Sequence, residues 1–130
     1  MNEQKKVLVV DDDIRMHEFY AELFNDQVVT YCTSGEDAVE VMNGGAAFDL
    51  IYLDLELLGM SGFSTLDALK GIAGAKLPPV VVSSSLSDPA TQEIAKSKGA
   101  AAFVPKPINL QLAISVAQKL LTGSAPKTGA

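Results

Sequence analysis

Short apolar runs alternate with helical patterns along the chain, and this alternation limits the folds that it can adopt. Five runs rich in β-branched and aliphatic residues predict strands over Lys6–Val10, Val28–Tyr31, Leu50–Leu53, Val80–Ser83 and Ala102–Val104. Most of them lack polar–apolar alternation, which is typical of parallel strands covered on both faces. Helices are predicted over Ile14–Phe24, residues 34–43, Ser64–Lys70, Pro89–Lys98 and Leu110–Leu121. We therefore expect an α/β fold, a doubly wound five-stranded parallel sheet flanked by five helices.

Length and charge limit the class of protein further. A chain of 130 residues suits one core, and 48% hydrophobic with 20% charged residues is a globular balance. The net charge of -6 disfavours direct contact with nucleic acid or an anionic membrane surface. The lone cysteine, Cys32, excludes an internal disulfide.

The chain ends indicate one domain and a cytoplasmic location. The small, polar stretch GSAPKTGA predicts a flexible tail over 123–130, which leaves 1–122 as the folded domain. The first apolar run is too short for a signal peptide or a membrane span, so we expect a cytoplasmic protein.

Polar residues follow four of the predicted strands. They are Asp11, Asp12 and Asp13 after the first strand, Asp54 after the third, Ser83, Ser84 and Ser85 after the fourth, and Lys106 after the fifth. Ligands of open parallel sheets bind at the carboxyl ends of the strands. In the strand order 2-1-3-4-5 the first and third strands are neighbours, so their carboxylates would converge.

Converging carboxylates favour a hard dication. Oxygen ligands with room for water suit Mg²⁺ better than zinc, and His17 and Cys32 fall on separate elements. With the metal held by Asp12 and Asp54, a phosphoryl group would meet positive charge from Mg²⁺ and from Lys106. A hydroxyl from Ser84 could donate to a third oxygen. This arrangement indicates phosphoryl transfer onto a carboxylate.

From these motifs the chain resembles the receiver domain of bacterial two-component response regulators, in particular the single-domain, chemotaxis-regulator-like type, over about Lys6 to Leu121. The family has an acidic pair, an acceptor aspartate, a hydroxyl residue and a Lys-Pro pair, each after a strand. The matching residues are Asp11, Asp12, Asp54, Ser84 and Lys106. The family's aromatic switch position falls on Phe103, and its glycine after the acceptor loop falls on Gly62.

The resemblance implies a phosphorylation-dependent signalling switch. Asp54 would accept a phosphoryl group from a sensor histidine kinase or a phosphotransfer protein. Asp12 would bind Mg²⁺ directly, Asp11 mostly through water, and Glu56 through its backbone carbonyl. Ser84 and Phe103 would carry the change to a downstream protein, whose identity stays open. The chain would be no enzyme beyond catalysing its own phosphorylation and dephosphorylation.

Some positions depart from the family pattern or add detail to it. Leu58 stands where a proline is common, and the Glu56 side chain adds a negative charge beside the phosphoryl site. We expect a cis peptide bond at Lys106–Pro107, as is common in the family. Asp13 is predicted to cap the first helix, and His17 to be a surface helix residue.

The last helix predicts both a core face and a partner surface. On a helical wheel one stripe should meet the sheet, formed by Leu110, Ala113, Ile114, Ala117, Leu120 and Leu121. Leu112 and Val116 fall on its flank. Packing against a neighbouring helix is one explanation, and a partner or a phosphorylation-dependent dimer is the other.

Other functions stay open at this point. The chain could be a pseudo-receiver that binds partners without phosphorylation, or a receiver fragment of a longer regulator or hybrid kinase. A flavin or nucleotide carrier would need a phosphate-cradling loop after the first strand, where three aspartates would repel a phosphate. A phosphohydrolase with an aspartyl intermediate fits poorly, since no substrate-cap insertion is present.

Overall fold

The computed structural model describes residues 4–122 and shows one five-stranded sheet. The strands are β1 (Lys6–Val10), β2 (Val28–Cys32), β3 (Leu50–Asp54), β4 (Val80–Ser84) and β5 (Ala102–Pro105). They are all parallel and lie in the order β2-β1-β3-β4-β5, which confirms the predicted topology. Strands β2 to β5 each run one residue beyond the prediction, so Asp54 and Ser84 belong to strands and not to loops.

Five helices follow the strands. They are α1 (His17–Leu23), α2 (Gly35–Asn43), α3 (Gly62–Ala73), α4 (Pro89–Ser97) and α5 (Leu110–Leu121). Short 3-10 turns cover Ile14–Met16 and Gly74–Lys76. Backbone N–H groups at four helix starts donate to capping side chains, those of Ser34, Ser61, Asp88 and Asn109.

Two helices differ from their predicted bounds by more than one residue. The predicted helix Ile14–Phe24 starts as a 3-10 turn and becomes α-helical only at His17. Asp13 caps that turn, as predicted, by accepting the backbone N–H of Arg15. Helix α3 extends beyond the predicted Ser64–Lys70 at both ends, because Ser61 caps it earlier and Gly71 does not end it.

The core has two layers, one on each face of the sheet. Side chains of alternate strand positions point to opposite faces. Leu8, Ile51 and Val82 join the layer beneath α2, α3 and α4, whereas Val9 and Val81 join the layer beneath α1 and α5. The predicted core stripe of α5 lies in this second layer.

The flank of α5 is only partly covered. Leu112 is 42% exposed, and Val116 is half-buried against the core layer beneath α1 and α5. The predicted tail, residues 123–130, lies outside the described residues. Within residues 4–122 no helix has the length and the apolar character needed to cross a membrane.

Candidate functional site

Three carboxylates meet at the carboxyl edge of the sheet. Asp11 and Asp12 directly follow β1, and Asp54 is the last residue of the adjacent strand β3. Each offers one oxygen to a cluster in which these oxygens all lie within 4.8 Å of one another. Asp11 and Asp54 are each only 1% exposed. Oxygen-only ligation at this spacing fits a hard dication such as Mg²⁺.

Hydrogen bonds from neighbouring groups orient the carboxylates of Asp11 and Asp12. One oxygen of Asp12 accepts the backbone N–H of Leu58 at 3.0 Å. Asp11 accepts the backbone N–H of Asp13 at 2.9 Å and the hydroxyl of Tyr20 at 2.7 Å. The periodicity of α1 indicates only that Tyr20 belongs to the core, so the sequence did not predict its contact with Asp11.

Asp54 is held by one donor on each oxygen. Its Oδ1 accepts the backbone N–H of Glu56 at 2.9 Å, and its Oδ2 accepts Lys106 Nζ at 2.9 Å. Burial raises the pKa of Asp54 to about 6, although the hydrogen bonds from Glu56 and Lys106 oppose the rise. The carboxylate is therefore mostly ionised at neutral pH and can act as a nucleophile.

Lys106 comes from the end of β5 and faces two carboxylates. Its Nζ lies 2.9 Å from Asp54 and 3.5 Å from Glu56 Oε1. Burial lowers the pKa of Lys106, but the hydrogen bond to Asp54 and the charges of Asp54, Asp11 and Glu56 outweigh it and raise the pKa above its ordinary value. The ammonium group therefore stays charged beside the acceptor.

Glu56 has a second partner that the sequence did not reveal. Its carboxylate accepts the backbone N–H of Ser85 at 3.2 Å and also the Ser85 hydroxyl. The hydrogen bond from that hydroxyl is the main reason why the pKa of Glu56 is lowered, and burial opposes it. The loop after β3 is thus tied to the loop after β4.

The two predicted switch residues lie on adjacent strands, Ser84 at the end of β4 and Phe103 within β5. Ser84 is fully buried, and its hydroxyl oxygen accepts the backbone N–H of Leu86 at 2.9 Å. Phe103, on β5, is half-buried and packs on the core layer beneath α2, α3 and α4. In this structure Ser84 is therefore engaged with its own loop.

Gly62 lies against the backbone of the acceptor strand. An added Cβ would be 2.4 Å from Leu55 Cα and 2.7 Å from the carbonyl oxygen of Asp54. Only glycine lets α3 start this close to Asp54. The predicted cis peptide bond at Lys106–Pro107 is confirmed.

The prediction for His17 was wrong. The imidazole is half-buried and stacks on Tyr31, with ring centroids 4.4 Å apart. His17 is the first residue of α1, directly after the 3-10 turn, and its ring packs against Tyr31 of β2.

The match to a family model decides the class of this chain. The model described as response regulator receiver domain matches residues 7–118. The chain belongs to the response regulator receiver family. Receiver domains are phosphorylation-dependent signalling switches of two-component systems, and they bind Mg²⁺ in an acidic pocket. The carrier and phosphohydrolase alternatives are not favoured.

Curated relatives align with this chain over part of their own length. The chain is 32% identical to a protein-glutamate methylesterase/protein-glutamine glutaminase of Syntrophomonas wolfei, with 91% of this chain and 35% of that protein aligned. It is also 32% identical to the transcriptional activator protein PfeR of Pseudomonas aeruginosa, over 81% of this chain and 34% of that protein. The receiver chain spans about a third of the length of these relatives.

Solved structures agree with the fold. Chemotaxis protein CheY4 of Vibrio cholerae is 25% identical with a TM-score of 0.81, over 91% of this chain and 99% of that chain. The N-terminal domain of a response regulator/sensory box/GGDEF protein of Carboxydothermus hydrogenoformans is 33% identical with a TM-score of 0.79, over 91% and 94%. Both structures share the fold over about nine-tenths of this chain.

Proposed function

We propose that Asp54 is the phosphoacceptor of this receiver domain. The observation that carries the proposal is the position of its carboxylate, which is buried and lies beside the carboxylates of Asp11 and Asp12 and the ammonium group of Lys106. The carboxylate of Asp54 is mostly ionised at neutral pH and can act as a nucleophile. The charged ammonium group of Lys106 lies where it could bind a phosphoryl oxygen.

The acidic cluster fits Mg²⁺ as the cofactor. Asp12 and Asp54 would hold the ion directly, with the backbone carbonyl of Glu56, and Asp11 would act through water. When bound, Mg²⁺ supplies positive charge that offsets the repulsion between the acceptor and the incoming phosphoryl oxygens. The three aspartates fit this role because their oxygens already converge without a nitrogen or sulfur ligand among them.

The transfer itself needs an in-line attack. An oxygen of Asp54 attacks phosphorus, the P–N bond to the donor imidazole breaks, and the freed nitrogen takes up a proton. Lys106 exchanges its bond with Asp54 Oδ2 for a bond with a phosphoryl oxygen. Ser84 leaves the N–H of Leu86 and donates its hydroxyl proton to another phosphoryl oxygen. Phe103, one strand away, responds to this rearrangement of β4 and its loop.

The phosphoryl donor is a sensor histidine kinase or a phosphotransfer protein. Three large apolar side chains are exposed on the segments that follow β1, β3 and β4: Ile14 is 65% exposed, Leu58 80% and Leu86 61%. A donor imidazole cannot reach Asp54 unless its own protein covers these segments, so the exposed side chains fit a docked helical partner. A cytoplasmic location is part of the same proposal.

Phosphorylation by a small donor tests the assignment of Asp54. Acetyl phosphate with Mg²⁺ should add one phosphate that hydroxylamine removes, and a chelator should prevent the addition. Asp54→Ala should abolish it. The matched control is Asp67→Ala, which removes an aspartate paired with Lys98 on the surface and should leave phosphorylation intact. A phosphate mapped to another residue, or none with any donor, would refute the proposal.

A further inference from the structure

Tyr20 is a buried phenol with a charged partner. The side chain is fully buried and its ring packs edge-on against Tyr52, with centroids 5.3 Å apart. Its hydroxyl donates to Asp11 Oδ2 at 2.7 Å, a short, charge-assisted bond. Burial, and then the charge of Asp11, raise the pKa of Tyr20 well above its ordinary value, so the phenol remains a donor.

Both oxygens of Asp11 are engaged by donors. Tyr20 holds Oδ2 and the backbone N–H of Asp13 holds Oδ1 at 2.9 Å. At 1% exposure this carboxylate has almost no contact with solvent that could replace either donor. Without the phenol, Oδ2 would be an unsatisfied charged acceptor facing an apolar layer, which is costly. The carboxyl group would then rotate away from the arrangement that converges with Asp12 and Asp54.

We propose that Tyr20 is a positioning residue for Mg²⁺ binding, which acts by fixing the carboxylate of Asp11 in the acidic cluster. The inference rests on the proposed Mg²⁺ site and adds a residue from α1 to it. It also explains the expected water-mediated role of Asp11, because an oxygen that already accepts a phenol proton is a weaker direct ligand. Partners behind a metal ligand commonly change metal affinity about 10- to 100-fold when removed.

Tyr52 offers a matched control for this inference. It is also a buried tyrosine of the same core layer, at 1% exposure. Within residues 4–122 its hydroxyl makes no hydrogen bond to Asp11, Asp12 or Asp54, so Tyr52→Phe removes no donor from the acidic cluster. If the buried phenols had only a structural role, Tyr20→Phe and Tyr52→Phe would change Mg²⁺ binding equally. If Tyr20 positions Asp11, only Tyr20→Phe weakens Mg²⁺ binding.

Calorimetry with Mg²⁺ alone, without a phosphoryl donor, measures the effect. Tyr20→Phe should weaken Mg²⁺ binding about tenfold, and Tyr52→Phe should leave it within twofold of wild type. In an Asp11→Asn background the Tyr20→Phe change should have no further effect, since the phenol acts only through that carboxylate. Wild-type affinity in Tyr20→Phe, an equal loss in Tyr52→Phe, or additive effects with Asp11→Asn would each overturn the proposal.

Tyrosine emission gives a second test that does not need the Tyr20→Phe variant to fold. The chain has three tyrosines and no tryptophan, so Tyr31→Phe with Tyr52→Phe leaves Tyr20 as the only source of tyrosine emission. Mg²⁺ should change its emission with the midpoint found by calorimetry, and an unchanged emission at saturating Mg²⁺ would overturn the proposal. Neither test uses phosphorylation, so either can fail while Asp54 is still phosphorylated.

Discussion

Replacing Asp54 by asparagine should stabilise the fold in Mg²⁺-free buffer while it abolishes phosphorylation. The carboxylate is 1% exposed and shares its site with two further carboxylates. Its pKa is about 6 instead of 3.8, so the ionised form costs free energy in the folded state even with Lys106 beside it. Asparagine keeps the shape and an acceptor oxygen but carries no charge.

The size and the pH range of the effect follow from that pKa. A rise from 3.8 to about 6 corresponds to about 3 kcal/mol at neutral pH. Because the folded state binds this proton more tightly than the unfolded state, Asp54 lowers the free energy of unfolding as pH rises from about 4 to about 6. The gain from Asp54→Asn should therefore be near zero below pH 4 and reach about 1 to 3 kcal/mol at pH 7, since the change also leaves Lys106 with fewer charged partners.

Urea unfolding at pH 4 and pH 7, with a chelator present, measures the difference. Asp67→Asn is the control, because that carboxylate is exposed on α3 and its removal should change stability by less than about 1 kcal/mol. Added Mg²⁺ should stabilise wild type and narrow its gap to Asp54→Asn. A variant that is less stable than wild type at pH 7, or a gain of equal size at both pH values, would refute the reasoning.

The other predictions concern the packing and the output of the site. Gly62→Ala should lower the free energy of unfolding in urea by about 1 to 3 kcal/mol, because the added Cβ would lie 2.4 Å from backbone. Gly71→Ala, on the same helix but with open space around it, should raise the free energy of unfolding by about 0.5 to 1 kcal/mol. Equal effects of the two changes would contradict this. Glu56→Asn removes a negative charge 3.5 Å from Lys106 and should speed phosphorylation by acetyl phosphate about fivefold. It should also alter the half-life of the acyl phosphate. Unchanged rates of both reactions would contradict an effect of the Glu56 charge. Lys106→Ala should still bind Mg²⁺ but show no change in hydrogen exchange at β5 on phosphorylation, and a wild-type response would contradict its role. With beryllofluoride as a stable mimic of the phosphoryl group, wild type should dimerise in sedimentation experiments. Leu112→Ser should stay monomeric, because Leu112 is 42% exposed on the flank of α5. A dimer of the variant would argue against the flank of α5 as the dimer surface.

Much of the site could be predicted because parallel strands impose it. Once the apolar runs are assigned to strands, their carboxyl ends must share one edge, and the polar residues after them must meet there. Asp11, Asp12, Asp54 and Lys106 are brought together in this way. The core stripe of α5 followed from helical periodicity alone.

The remaining contacts join residues whose distance depends on how the layers pack. Glu56 and Ser85 lie 29 positions apart, and their bond needs the loops after β3 and β4 to approach each other. His17 on α1 and Tyr31 on β2 lie 14 positions apart, and their stacking depends on how α1 packs over the sheet.

The sequence by itself determined the elements, their order and the charged edge of the sheet, because periodicity and chain direction are local properties. Only the tertiary structure decided which donor each carboxylate accepts. Tyr20 reads as a core residue in the sequence, and whether its hydroxyl ends in an apolar layer or on Asp11 depends on the position of α1 over β1 within about an ångström. A shift of α1 by such a distance would break the hydrogen bond, because hydrogen bonds need a narrow range of distances. The same shift hardly changes the apolar area that α1 buries, so the hydrophobic pattern does not determine the contact.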